Sequence, residues 1–128
     1  IAGIVRYRGL NADDAATMQN LLNFQHHRGP DGKGIKEFRN CLIGMNRLSL
    51  VDLRQLPLPF QSNSKSLTLT FNGEIYNYKE LTVELGLTPH TSEAAIIVEL
   101  FIKYGVDFVN LLDGMFAIAI SDFKENSI

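Results

Sequence analysis

Two neutral hydrogen-bond donors stand side by side at Asn72-Gly73, where a carboxamide neighbours a backbone N–H that no side chain covers. Such a pair at a rigid strand end can stabilise an oxyanion as it forms on a substrate carbonyl. The same dipeptide also suits a tight hairpin turn, because both residues tolerate positive φ. Local pattern alone favours the hairpin, and nothing local decides between the two. Cys41 is the single cysteine. A nucleophilic role would need a thiolate-stabilising neighbour, and none is identifiable, so it reads as a small core hydrophobe. His26 and His27 are adjacent and lack a partner at ligand spacing, so one is expected to pack and the other to be solvated. Arg47 reads as a solvated charge at a strand end, unless a pocket lies beside it, where its fork would suit a carboxylate.

The elements that position these groups follow from periodicity. Leu67, Leu69 and Phe71 alternate with Thr68 and Thr70, which predicts a half-buried strand running into Asn72-Gly73. Residues 2–7 predict a strand at the N-terminus. Asp13 and Asp14 open a helix whose buried stripe is expected at Ala15, Met18, Leu21 and Leu22. The stretch from His26 to Gly32 is a stiff loop, since two glycines around Pro30 cannot continue a helix. Gly34 to Phe38 and Cys41 to Met45 predict paired strands joined by Arg39-Asn40. The prolines of Leu56-Pro57-Leu58-Pro59-Phe60 predict a loop, which Gln61 to Ser66 extend.

Tyr78, Leu81 and Leu85 space a short helix closed by Gly86. Ser92 then caps a longer one, with Ile96, Ile97, Leu100, Phe101 and Tyr104 on one face and Gly105 at its end. Val106 to Leu112 predicts another short helix, broken by Gly114. The apolar run Met115 to Ile120 predicts a strand covered on both faces. Together these elements exclude a helical bundle and favour sheets sandwiched with helices.

A length of 128 residues fits one continuous domain (1–128) with a real core. A formal net charge of −2 supplies no long-range attraction for nucleic acid or an anionic membrane. No apolar run is long enough to span a bilayer, and no leader pattern precedes Ile1. With one cysteine and therefore no intramolecular disulfide, a cytoplasmic setting is expected.

Four segments, His27-Arg28-Gly29-Pro30-Asp31, 45–52 (Met-Asn-Arg-Leu-Ser-Leu-Val-Asp), 71–77 (Phe-Asn-Gly-Glu-Ile-Tyr-Asn) and Asp113-Gly114-Met115-Phe116-Ala117, together resemble the glutaminase domain of asparagine synthetase. That domain is a class II glutamine amidotransferase of the N-terminal-nucleophile (Ntn) hydrolase group. The resemblance runs from residue 2 to about residue 122. It implies an α+β fold, a four-layer αββα sandwich of two antiparallel sheets that would be incomplete at the C-terminus here. It also implies hydrolysis of glutamine to glutamate and ammonia, with the ammonia passed to an ATP-using synthetase domain that this chain does not contain. In the family an N-terminal cysteine attacks the carboxamide, with its own α-amino group as base.

Carried over by position, the resemblance makes Asn72 and Gly73 the oxyanion hole and Arg47 the clamp on the substrate α-carboxylate. Main chain at Leu50 and Val51 would line the pocket, and Glu74 and Glu93 would hold the substrate's amino end. No cofactor or metal is expected on this chain; ATP and magnesium belong to the synthetase domain. The implied partners are glutamine or a related amino acid and that synthetase domain, with a homodimer left open.

The departures from the family pattern gather at the same pocket. Ala2 occupies the nucleophile's place, and a methyl group cannot attack a carbonyl. Ile1 ahead of it would separate the α-amino group from that position. Glu93 is a methylene longer than the family's aspartate. Ala95 removes the returning half of a capping box that Ser92 keeps. Leu56 replaces a glutamine, and Arg6 stands where the family usually has glycine. Several changes at one pocket read as a naturally relaxed glutaminase domain rather than one trapped mutant, so the chain is expected to be inactive. A non-catalytic module that binds an amino acid or braces a synthetase domain is the alternative, and a structural fragment without a ligand is a third.

Overall fold

The computed structural model describes residues 1–48, 57–64, 66–125 and 127–128. The chain divides into two compact units, Ile1–Thr70 with Ala119–Ile128, and Phe71–Ile118. The first unit begins with β1 (Ala2–Val5), α1 (Asp14–Phe24), a 3-10 turn (His26–Arg28), β2 (Gly32–Phe38) and β3 (Cys41–Arg47). These strands form an antiparallel sheet in the order β1-β3-β2. Its register runs Ala2↔Gly44 to Val5↔Cys41 on one side of β3, and Gly32↔Arg47 to Phe38↔Cys41 on the other. The expected pair of strands is therefore present and longer than expected. Arg39 enters the two-residue turn with φ +44°, as a twist-matched hairpin turn demands.

Helix α1 lies on one face of this sheet. Met18 and Leu22 are wholly buried and cluster with Ala2 and Leu42, with Ile4, Leu10 and Ile35 at the margin. Burial of each large side chain contributes about 2 kcal/mol. A Cβ on Gly44 would stand 3.1 Å from Leu22 Cδ1 and 3.2 Å from Met18 Sδ, so glycine lets the helix settle closely. The buried row is Asp14, Met18, Leu22. The expected stripe is corrected here: Ala15 and Leu21 are exposed. A helix on a flat sheet touches it along one i, i+4, i+8 row, and Asp14 takes the first place because its carboxylate has a partner. The histidines also differ from expectation, since both are exposed, and His27 Nδ1 lies 3.2 Å from the Phe24 carbonyl.

The second sheet has the order β4-β5-β6, with β4 at Phe60–Gln61, β5 at Leu67–Ile75 and β6 at Gly114–Asp122. Phe60 and Gln61, expected in a loop, pair with Leu69 and Thr68. The strand starts directly after Pro59, where no proline interrupts the ladder. Cys41, Ile43 and Met45 are buried on the β3 face opposite α1. On that side Cys41 meets Ser121 of β6, and Phe38 stacks on Phe123 with centroids 3.9 Å apart. Leu67, Thr68, Leu69 and Thr70 are all buried, so this half of β5 is covered on both faces rather than half-buried. The Thr70 hydroxyl donates to the Ala119 carbonyl at 3.4 Å.

The second unit holds α2 (Tyr78–Glu84), α3 (Glu93–Tyr104) and a 3-10 segment (Gly105–Leu111) between the ends of β5 and β6. Ile75, Leu81, Ile96, Ile97, Val98, Leu100 and Phe108 are its buried hydrophobic residues, and Phe101 meets Phe108 edge to face at 5.9 Å. Ser92 caps α3 by accepting from the Ala95 N–H at 3.3 Å, as the sequence predicts. Strand β6 departs from expectation: Met115 and Ala117, on one face of the strand, are exposed. The fold is α+β, with two three-stranded antiparallel sheets and layered helices, in line with an Ntn-hydrolase-type sandwich. Among the described residues no helix is long and apolar enough to cross a membrane.

Candidate functional site

β5 does not turn at Asn72-Gly73. It runs straight on to Ile75 with both residues exposed, which removes the hairpin reading. Successive N–H groups of a strand point to opposite edges. Tyr76 donates to the Asp113 carbonyl on the β6 side at 2.7 Å. The Ile75 N–H must then face the other edge, and there it donates to Glu93 Oε1 at 2.6 Å. By the same alternation the Gly73 N–H points to the Ile75 edge, about 6.8 Å back along the strand. Among the described residues β4 pairs with Thr68 and Leu69. The Gly73 N–H and the exposed Asn72 carboxamide are thus neighbouring neutral donors in the chain.

Strand β6 comes exceptionally close on the opposite edge. A Cβ on Gly73 would collide with the Met115 carbonyl and lie 2.6 Å from Phe116 Cα. One on Gly114 would collide with the Glu74 carbonyl. Both glycines have positive φ, +149° and +157°. Hence glycine at 73 serves close backbone approach, a reason that turn statistics alone could not supply.

The structure brings Asn72, Gly73, Glu74 and Glu93 together in the second unit. Glu74 is exposed, and Glu93 is half-buried at the first position of α3. The longer side chain of Glu93 folds onto main chain through Ile75.

Ala2 and Arg47 lie in the first unit. Ala2 is 9% exposed and sits in the apolar cluster with Met18, Leu22 and Leu42. Arg47 ends β3, half-buried, and its carbonyl accepts from the Asp31 N–H at 3.0 Å. Leu50, Val51 and Leu56 lie outside the described residues.

Three features of the first unit were not foreseen. Arg6 grips Asp14, with Nη2 to Oδ1 at 2.7 Å and Nε to both carboxylate oxygens at 3.2 Å. The Asn11 N–H adds a bond to Asp14 Oδ2 at 2.8 Å. The Arg6 bond, followed by the Asn11 amide, holds the Asp14 carboxyl below the usual carboxylate range. In the sequence Asp14 shows only as a helix opener, since a pairing eight residues apart through a turn leaves no periodic signal. Asn46 Nδ2 donates to the Leu22 carbonyl at 2.7 Å, closing the end of α1. A cavity of about 440 Å³ is lined by Asn23, His26, Pro30, Gly32 and Lys33, with the Lys33 ammonium on Asn23 Oδ1 at 3.0 Å. Among the described residues, Pro30 of the resembling segments lines it, and none of those assigned a role in the site does. Cys41 is buried, as expected, and burial pushes its thiol up, partly offset by the neighbouring Ser121 hydroxyl.

The whole chain, residues 1–128, matches the family model described as a glutamine amidotransferase domain. The chain belongs to that family. It is 39% identical over 132 residues to asparagine synthetase [glutamine-hydrolyzing] 2 of Oryza sativa subsp. japonica, covering 99% of this chain and 22% of that protein. It is 36% identical over 132 residues to asparagine synthetase [glutamine-hydrolyzing] 3 of Arabidopsis thaliana, covering 99% and 23%. The asparagine synthetase of Asparagus officinalis is 33% identical over 131 residues, covering 98% and 22%. The chain thus spans less than a quarter of the length of these curated relatives.

Proposed function

We propose that this chain is the glutaminase-type domain, over 1–128, of an asparagine-synthetase-like protein, and that it no longer hydrolyses glutamine. The observation that carries the reading is that Asn72 and Gly73 lie exposed on β5 rather than in a turn, while the nucleophile position holds Ala2. Supporting it are family membership and relatives named as glutamine-hydrolysing asparagine synthetases. In this reading a glutamine carbonyl oxygen rests on the Asn72 and Gly73 donors. Arg47 clamps the α-carboxylate, Leu50 and Val51 main chain line the pocket, and Glu74 and Glu93 face the amino end. The missing step is attack on the carboxamide carbon, which needs a lone pair that alanine lacks. ATP and magnesium chemistry belongs to a synthetase domain elsewhere in a longer polypeptide, working in the cytoplasm.

One observation favours a second reading, a non-catalytic module that binds an amino acid or braces a synthetase domain. The Ala2 methyl is packed against Met18, Leu22 and Leu42, where a reacting group would have no access to substrate. The experiment is to compare the chain with a variant that lacks Ile1 and carries Ala2→Cys, measuring ammonia release from glutamine and calorimetric glutamine binding. A disabled glutaminase gives ammonia only after the repair, with binding weakened at least tenfold by Arg47→Ala. Silence after repair with binding retained supports the module. Absence of both refutes the amino-acid cradle.

A further inference from the structure

The segment Asp113-Gly114-Met115 and the residue Asn77 are not absorbed by the proposed reaction, yet both converge on the main chain that presents the donor pair. Asn77 uses both ends of its carboxamide on the chain before β6. Its Nδ2 donates to the Leu111 carbonyl at 2.9 Å, and its Oδ1 accepts from the Asp113 N–H at 3.0 Å. The Asp113 carbonyl in turn accepts from the Tyr76 N–H at 2.7 Å. One residue further, Gly114 admits the Glu74 carbonyl to a place that no Cβ would leave open. On the opposite edge Glu93 takes the Ile75 N–H. Residues 74–77 are therefore gripped from both edges, immediately after the donors at 72 and 73.

We propose that Asn77 and Gly114 are positioning residues that fix the direction of the Gly73 N–H by pinning residues 74–77 to Leu111–Met115. The inference rests on the oxyanion reading of Asn72-Gly73 and goes beyond it by naming what holds that pair. The physical need is plain. A hydrogen bond weakens steeply once its angle falls toward about 120°, so the strand's twist at Gly73 decides where that N–H is aimed. Two bonds from one planar carboxamide, combined with a backbone contact that only glycine permits, suppress that twist. A displacement of about 1 Å at such a site costs on the order of 100-fold in rate.

The test has two arms. In the natural chain, amide hydrogen exchange is followed by NMR with Asn77→Ala. Exchange of the Ile75 and Tyr76 amides should accelerate at least tenfold, while amides paired between β1 and β3 stay unchanged. Equal acceleration everywhere, or none, overturns the proposal. In the chain repaired at position 2, Asn77→Ala should lower kcat for glutamine about 100-fold while KM moves less than threefold. Asn77→Asp keeps the bond from the Asp113 N–H and should recover part of kcat. A repaired parent that is active and indifferent to Asn77→Ala overturns the positioning role. A repaired parent that is inactive counts against the glutaminase reading instead, and the exchange arm then decides the pinning by itself.

Discussion

Gly73 and Gly114 license each other: each lacks the Cβ that would strike a carbonyl of the facing strand, Met115 for Gly73 and Glu74 for Gly114. Adding a methyl at either site forces the backbones apart, an overpacking cost of about 1–3 kcal/mol. Positive φ adds about 1–2 kcal/mol for an L-residue. Gly73→Ala and Gly114→Ala should each therefore lose about 3 kcal/mol in urea denaturation. Gly86 isolates the two effects, since it has φ +65° but nothing within 4 Å of its would-be Cβ. Gly86→Ala should cost about 1 kcal/mol. Equal losses at all three positions would show that close approach contributes nothing.

Asp14 predicts an acid limb of stability. Its carboxyl is held below the ordinary value by the Arg6 bond and the Asn11 amide, while Arg6 is raised and stays charged throughout. A carboxyl with a lowered folded pKa contributes stability fully above its unfolded value, near pH 4. That contribution is lost as pH falls through the folded value. Asp14→Asn should therefore lower Tm at pH 7, and the difference from the parent should shrink steadily below about pH 4. A Tm difference that is constant from pH 7 to pH 2 would rule the ion pair out as its source. Arg6→Ala should follow the same profile with at least as large an amplitude, because it leaves the buried Asp14 carboxylate without its cation.

Most of the element boundaries were legible because their signals are local. Gly86 and Gly105 close their helices at φ +65° and +59°, Ser92 caps, and Arg39-Asn40 turns. The failures share a cause, which is that coverage of a face depends on neighbours distant in sequence. The threonines of β5 look polar-face from their spacing but are buried, because both faces of that half of the strand are covered. Met115 looks buried because its run is apolar, yet its face of β6 is exposed. Asn72-Gly73 carries the strongest short-range turn signal in the chain, and the strand passes through it because β6 approaches where only glycine fits. The donor pair itself was legible as residue types. Its direction was not, since that comes from Tyr76, Ile75 and Glu93 through the strand's alternation.

Cys41 should behave as core rather than as a reactive thiol. It is 2% exposed, and burial raises its pKa, so little thiolate exists at neutral pH. Labelling with an aromatic disulfide reagent at pH 8 should proceed only as fast as the protein opens, and denaturant should make it immediate. Fast labelling of the folded chain would mean that the Cys41–Ser121 face is open to solvent.

The α3 cap offers a gain rather than a loss. Ser92 already accepts from the Ala95 N–H, and a glutamate at 95 could reach back to the Ser92 N–H, completing a capping box and adding negative charge to the helix N-terminal turn. Ala95→Glu should raise stability by about 0.5–1 kcal/mol, and Ser92→Ala should lower it by about 1 kcal/mol. Made together, the two changes should fall short of their sum, because the box works only with both members. Additive denaturation free energies would show that the new carboxylate acts on the helix dipole alone. A loss with Ala95→Glu would place position 95 against a surface that cannot admit a longer chain; it is half-buried, so this outcome separates packing from capping in one measurement.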